Sequence, residues 1–244
     1  MRTLGAAAVV GAGLLALSWA TKTGDGASLG VALQGGTVTG SVKLTGRAPV
    51  NPALDMSEEP ECAAKYTTTP HAPIVVVSAN GTLANVFVYV KSGLPPDAKY
   101  PPLPIPVVLD QGACEYLPRV FGIMVGQPLE IRNSDPVMHN IKTRPKQNHP
   151  INVSEPTPDI RLTTTFTAPE VMVPFECNVH GWMRAYAGVL AHPFYAVTGT
   201  DGSFSMKGLP PGTYTIEAWH EKYGTQTATV TVQDDETRTA DFTY

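Results

Sequence analysis

Basic charge is scarce in this 244-residue sequence: 17 Lys and Arg stand against 21 Asp and Glu, for a formal net charge of -4. A chain with no positive field has little to offer a phosphate backbone, so nucleic acid is excluded as a partner. Cysteine is scarcer, at three, and none lies in a C-x-x-C or C-x-x-C-H motif, which removes haem attachment and paired-cysteine metal sites. The six histidines form no H-x-H pair. Long apolar runs are missing with one exception, Leu4 to Ala20.

That run follows the single Arg2, carries no charge and stops at Thr21-Lys22, with Ser18 and Ala20 as small residues before a cleavage point. It reads as a secretory signal over residues 1–20, which places the body of the protein in the periplasm or outside the cell. The competing reading is an uncleaved membrane anchor; the run is short for a span and rich in Ala and Gly. Beyond it, 22 Gly and 23 Pro punctuate segments filled with Val and Thr, the composition of many short strands separated by turns. An all-β chain is expected.

An oxidising compartment permits disulfides, and three cysteines leave one with another task. Cys177 is the odd one by context. It stands in VPFECNVHGWMRAY, where Cys177, His180 and Met183 recur every three residues between two apolar segments, Val171 to Phe175 and Ala185 to Leu190. Thiolate, imidazole and thioether form a soft to borderline donor set that suits copper cycling between Cu(I) and Cu(II); calcium and magnesium want oxygen, and zinc gains nothing from the Met. A second imidazole comes from His139, in PLEIRNSDPVMHNIK, after a strand at Pro128 to Arg132 and a turn at Asn133-Ser134-Asp135-Pro136. Two His and one Cys in a plane with a weak axial Met make the ligand set of a blue-copper electron-transfer centre. Taken singly, each residue has a plainer role: Cys and Met as core filler, His as a strand-end residue. The absence of H-x-H pairs excludes a multicopper oxidase, and one loop cysteine disfavours a binuclear centre.

The segment G-Q-P-L-E-I-R-N-S-D with its following His139-Asn140, and the C-x-x-H-x-x-M loop, resemble the cupredoxins, among them the small amicyanin and pseudoazurin type. The resemblance covers about Leu103 to His192. It implies a Greek-key β-sandwich, one type 1 copper ion on His139, Cys177, His180 and Met183, and Asn140 tying the two ligand loops together. It also implies that the edge of His180 reaches the surface, with Trp182 and Met183 in an apolar rim that docks redox partners. Val179 and Gly181 stand where amicyanin has prolines.

Cys62 and Cys114 remain for a disulfide, a pairing reached by elimination. It would close about 50 residues and stabilise the fold by roughly 4 kcal/mol on a chain-entropy model.

The C-terminal stretch alternates Phe204 and Met206, then Tyr214, Ile216 and Ala218, then Ala228, Val230 and Val232, with turns at Asp201-Gly202 and Pro210-Pro211-Gly212. It resembles the carboxypeptidase regulatory-like, transthyretin-like sandwich. The opening strand pattern of that family appears far upstream as GTVTGSV, Gly36 to Val42, with Asn85 to Lys91 as a following strand. The expected organisation is therefore sandwich strands in 36–92, a copper module in 103–192 and the remaining sandwich strands in 193–244. The rival parse gives Ile74 to Lys91 to the copper module and makes the tail a separate domain. Ser92 to Pro106 reads as a stiff Pro-rich connector, and Thr143 to Asp159 as a long loop.

The functional expectation is an exported one-electron carrier between redox partner proteins, a cytochrome or an oxidoreductase. It would not be an enzyme and would take no small-molecule substrate. The alternatives are a periplasmic copper scavenger and a β-sandwich interaction module with an accessory copper domain.

Overall fold

In the computed structural model, residues 35–244 are described; the segment read as a signal lies outside them. The backbone is nearly all β. β1 (Gly36–Lys43) turns Val38 and Val42, both fully buried, into a core on one face of the strand. Gly40 is required here, because a Cβ would fall 1.9 Å from the Ala240 carbonyl oxygen. After an irregular stretch holding one short helix, α1 (Pro60–Ala63), comes β2 (Phe87–Ser92).

Nine strands follow: β3 (Val107–Gly112), β4 (Glu115–Leu117), β5 (Val120–Met124), β6 (Leu129–Asn133), β7 (His139–Thr143), β8 (Asn152–Glu155), β9 (Arg161–Thr164), β10 (Glu170–Glu176) and β11 (Arg184–Leu190). They make two sheets, ordered β5-β11-β10-β7-β8 and β4-β3-β6-β9, with parallel pairs at β5/β11 and β3/β6. Apolar residues of both sheets, among them Leu109, Ile131, Ile141, Val173, Phe175 and Val189, interleave in one core. Burying such side chains contributes about 25 cal/mol per Å² of apolar surface removed from water. β8 lies inside the stretch expected to be a loop. Three of its four residues are exposed and it pairs only with β7, so it carries little periodic signal.

The chain ends with β12 (Tyr195–Val197), β13 (Ser203–Leu209), β14 (Gly212–His220), β15 (Gly224–Val232), β16 (Thr237–Thr239) and β17 (Phe242–Thr243). These pair with the first two strands: β13, β16 and β17 on β1, and β12-β2-β14-β15 in a second sheet. Val38, Val88, Phe204, Tyr214, Ile216 and Val230 share their core. β3 to β11 are thus inserted between β2 and β12 of a second sandwich.

The sandwiches meet through glycines. A Cβ at Gly188 of β11 would fall 2.2 Å from the Phe87 ring, and one at Gly122 of β5 2.1 Å from the Tyr195 ring. Close strand-to-ring approach buries Phe87, Tyr89, Val120, Met172 and Leu190 together. Beside them the Arg119 guanidinium holds both oxygens of Glu221, at 2.5 and 2.8 Å, with both side chains under a tenth exposed. Among the described residues no helix is long and apolar enough to cross a membrane.

Candidate metal centre

Strand pairing carries the distant histidine to the cysteine loop. β7 runs antiparallel to β10, with Thr143 opposite Phe175 and Lys142 opposite Glu176. The N-terminal end of β7, His139, therefore lies beside the residues just past Glu176. Cys177 is the first of those, His180 sits in the loop, and Met183 immediately precedes β11.

His139, Cys177 and His180 are all buried, and one donor atom from each lies within 4.8 Å of the others. The two imidazoles present Nδ1 to Nδ1 at 3.0 Å, and Cys177 Sγ is 4.0 Å from His180 Nδ1. The backbone N–H groups of Val179 and His180 donate to Cys177 Sγ at 3.4 and 3.3 Å. Burial pushes the Cys177 thiol up, but hydrogen bonds from His139, His180 and the two backbone amides outweigh it and bring the pKa down to about 5. A thiolate at neutral pH is the form that binds metal. Met183 is 1% exposed, lies in the same core as Cys177, and donates its backbone N–H to the His180 carbonyl at 3.0 Å.

Asp135 fixes His139 from behind. Its Oδ2 is 2.9 Å from His139 Nε2, so that an imidazole protonated at Nε2, the form that binds metal, donates to Asp135 and turns its Nδ1 lone pair toward the other donors. Burial opposes the Asp135 charge, but Lys65, the Cys114 amide and His139 together hold its pKa below the usual carboxylate value. Burial likewise opposes protonation of His139, while Cys177 and Asp135 favour it and raise its pKa. The carboxylate also accepts the backbone N–H groups of Ala113 and Cys114, at 3.0 and 2.7 Å. Those two residues form a left-handed turn between β3 and β4, with φ of 54° and 57°, a conformation that costs non-glycine residues roughly 1–2 kcal/mol each.

Asn140 bridges β7, β8 and the loop after β10: its Oδ1 accepts the Asn178 N–H at 3.3 Å and its Nδ2 donates to the Val153 carbonyl and to Asn152 Oδ1. Tyr116 donates its hydroxyl to the Asn140 carbonyl. Behind β7, Gln111 donates to the buried Glu155, whose pKa burial raises despite that bond.

Two expectations need correction. His180 presents no edge to solvent; it is 1% exposed. Its Nε2 lies 4.0 Å from Cys62 Sγ and 3.6 Å from Glu59 Oε1, and Trp182 packs beside the ring at 5.1 Å between centroids. Met183 is likewise in the core rather than in a surface rim, although Trp182 is part-exposed. The cover is built on the bond between Cys62 and Cys114, whose Cα atoms are 5.7 Å apart. Cys177 is the one free cysteine. Sequence reading passed over Asp135, Lys65 and Glu59; only the spacing of Asp135, four residues before His139, offered a signal.

Among the described residues the other group of three close donors is Cys114, Asp135 and His139, but the Cys114 sulfur is in the disulfide. His220 belongs to the second sandwich, on β14, where it packs against Tyr223 and Tyr244. The buried set of two imidazole nitrogens and a low-pKa thiolate fits a soft to borderline transition metal and suits neither calcium nor magnesium.

Residues 186–244 match the carboxypeptidase regulatory-like domain. No curated protein matches the chain. Among solved structures, an oxidised amicyanin mutant is similar at 20% identity, covering 34% of this chain and 80% of the amicyanin, with a TM-score of 0.31. A purple cupredoxin from Nitrosopumilus maritimus is similar at 24% identity, covering 34% of this chain and 97% of its own, with a TM-score of 0.28. The copper-containing nitrite reductase from Thermus scotoductus SA-01 is similar at 23% identity with a TM-score of 0.32; the match spans 40% of this chain and only a quarter of the reductase.

Proposed function

We propose that this chain is an exported one-electron carrier with one type 1 copper ion held by His139, Cys177, His180 and Met183. The observation that carries the proposal is the convergence of two imidazole Nδ1 atoms and a hydrogen-bonded thiolate in a buried pocket. When bound, copper supplies a one-electron couple, Cu(II) to Cu(I), with no substrate bond made or broken.

The chain's part is to keep the donors where they are in both oxidation states. Asp135 holds His139 by Nε2, the Val179 and His180 amides stabilise the Cys177 thiolate, and Asn140 ties the β7 end to the loop after β10. A site that does not rearrange loses little energy to reorganisation when an electron arrives. With its four donors 0–6% exposed, the chain on this reading exchanges electrons with other redox proteins rather than binding a small molecule at the metal. The scavenger reading asks for ligands that exchange readily, and a set 0–6% exposed argues against it.

Reductive titration of the copper-loaded chain tests the role. Uptake of one electron per chain, reversible over repeated cycles with copper retained, is expected. Loss of copper on each reduction favours the scavenger.

A further inference from the structure

We infer that the segment Asn51 to Ala72 is a cap, clamped by the Cys62–Cys114 disulfide, that holds His180 in the donor set and closes the site to exchange of its ion. The inference rests on the copper reading above and adds what determines retention of the metal.

The segment folds back on itself. The Leu54 N–H donates to the Pro70 carbonyl and the Ala72 N–H to the Pro52 carbonyl, at 2.8 and 2.9 Å. Leu54, Met56, Cys62 and Ala72 form with Cys114 a small apolar core of their own, apart from those of the two sandwiches. This unit lies on the metal centre. Cys62 Sγ and Glu59 Oε1 are the groups facing His180 Nε2, the nitrogen that the donor set does not use. An imidazole so covered cannot swing outward without displacing α1.

Three tethers hold the α1 side of the cap, and all three end on the turn between β3 and β4 or on the carboxylate that supports it, while at its start the Asn51 side chain exchanges two hydrogen bonds with the Val75 backbone, at 2.9 and 3.0 Å. Cys62 is bonded to Cys114, the Tyr66 hydroxyl donates to the Ala113 carbonyl at 2.7 Å, and Lys65 Nζ is 2.7 Å from Asp135 Oδ1. Trp182 Nε1 donates to the Cys114 carbonyl at 3.0 Å, so the ligand loop is fastened to the same turn. Few apolar residues and a handful of tethers make the cap the low-stability element here, and local opening scales with such tethers. The disulfide is the covalent one, and without it the cap keeps only a small core and the polar contacts of Asn51, Lys65 and Tyr66.

The test uses the full chain and the variant C62A/C114A, with diethyl pyrocarbonate labelling of histidines in the copper-free protein mapped by mass spectrometry. His149, exposed, and His220, 1% exposed in the second sandwich, are the internal standards. In wild type His180 is expected to be as protected as His220. In C62A/C114A its labelling rises by about tenfold while His220 stays protected, as local opening requires. Equal protection of His180 in both proteins overturns the inference. Should His220 become labelled too, the variant has unfolded, and Tyr66→Phe decides: it removes one tether and keeps the disulfide. A rise of about twofold at His180 alone then supports the cap, and no rise overturns it. Transfer of copper to bathocuproine disulfonate is the second readout, expected about tenfold faster from the variant; equal rates overturn the inference. A chain that takes no copper at all refutes the function proposed above, while the labelling still decides whether the cap covers His180.

Discussion

His139 and Asp135, four residues apart, are joined by a 2.9 Å contact between Nε2 and Oδ2, and the same carboxylate holds the turn that carries Cys114 and the cap residue Lys65. One side chain thus orients a candidate ligand and anchors the structure above the other.

Asp135→Asn keeps the shape and removes the charge that fixes the His139 N–H. Loss of such a partner costs about 10- to 100-fold in metal affinity, roughly 1–3 kcal/mol. Competition against a chelator of known strength checks it. An affinity equal to wild type would mean that backbone geometry alone orients the ring.

Met183→Leu replaces a weak thioether donor by an apolar side chain, which disfavours Cu(II) more than Cu(I). Copper and visible colour are expected to persist while the reduction potential rises, measured by voltammetry. An unchanged potential would remove Met183 from the donor set.

His220 gives a prediction about the fold rather than the metal. Burial holds it down at about 4; Glu221 works against this, and Arg119 and Lys222 add to it. Its Nδ1 accepts the Lys222 N–H at 3.1 Å, and its Nε2 has no partner among the described residues. Between about pH 6.5 and 4 the unfolded chain therefore binds a proton that the folded chain refuses. Stability is full above 6.5 and falls as pH drops through that window, by about 3 kcal/mol from this residue. Urea midpoints at pH 7 and pH 4.5 check it: His220→Phe should flatten the difference, and an equally steep loss in that variant would assign the acid sensitivity elsewhere.

The parts of the site legible in the sequence are those set by local spacing. Cys177, His180 and Met183 fall within seven residues, between two apolar segments, so the loop announces itself. The C-terminal strands are equally plain, because Phe204, Tyr214 and Val230 sit on alternating faces that reach the core. The cover over His180 is not legible, since Asn51 to Ala72 has no periodicity and acquires its position through a disulfide and through contacts to Val75, to Asp135 and to a turn some 50 residues away. Asp135 is hidden for a related reason: in Asn133-Ser134-Asp135-Pro136 it reads as an ordinary turn former, and its carboxylate gains its role when three separate segments meet it.

The visible absorption spectrum of the copper-loaded, oxidised chain bears most directly on the central claim. A thiolate at Cys177 bound to Cu(II) gives intense charge-transfer absorption, so the protein is expected to be strongly coloured at one copper per chain, and Cys177→Ser to be colourless. Stoichiometric copper with only weak absorption of the tetragonal kind, unchanged by Cys177→Ser, would contradict a type 1 site.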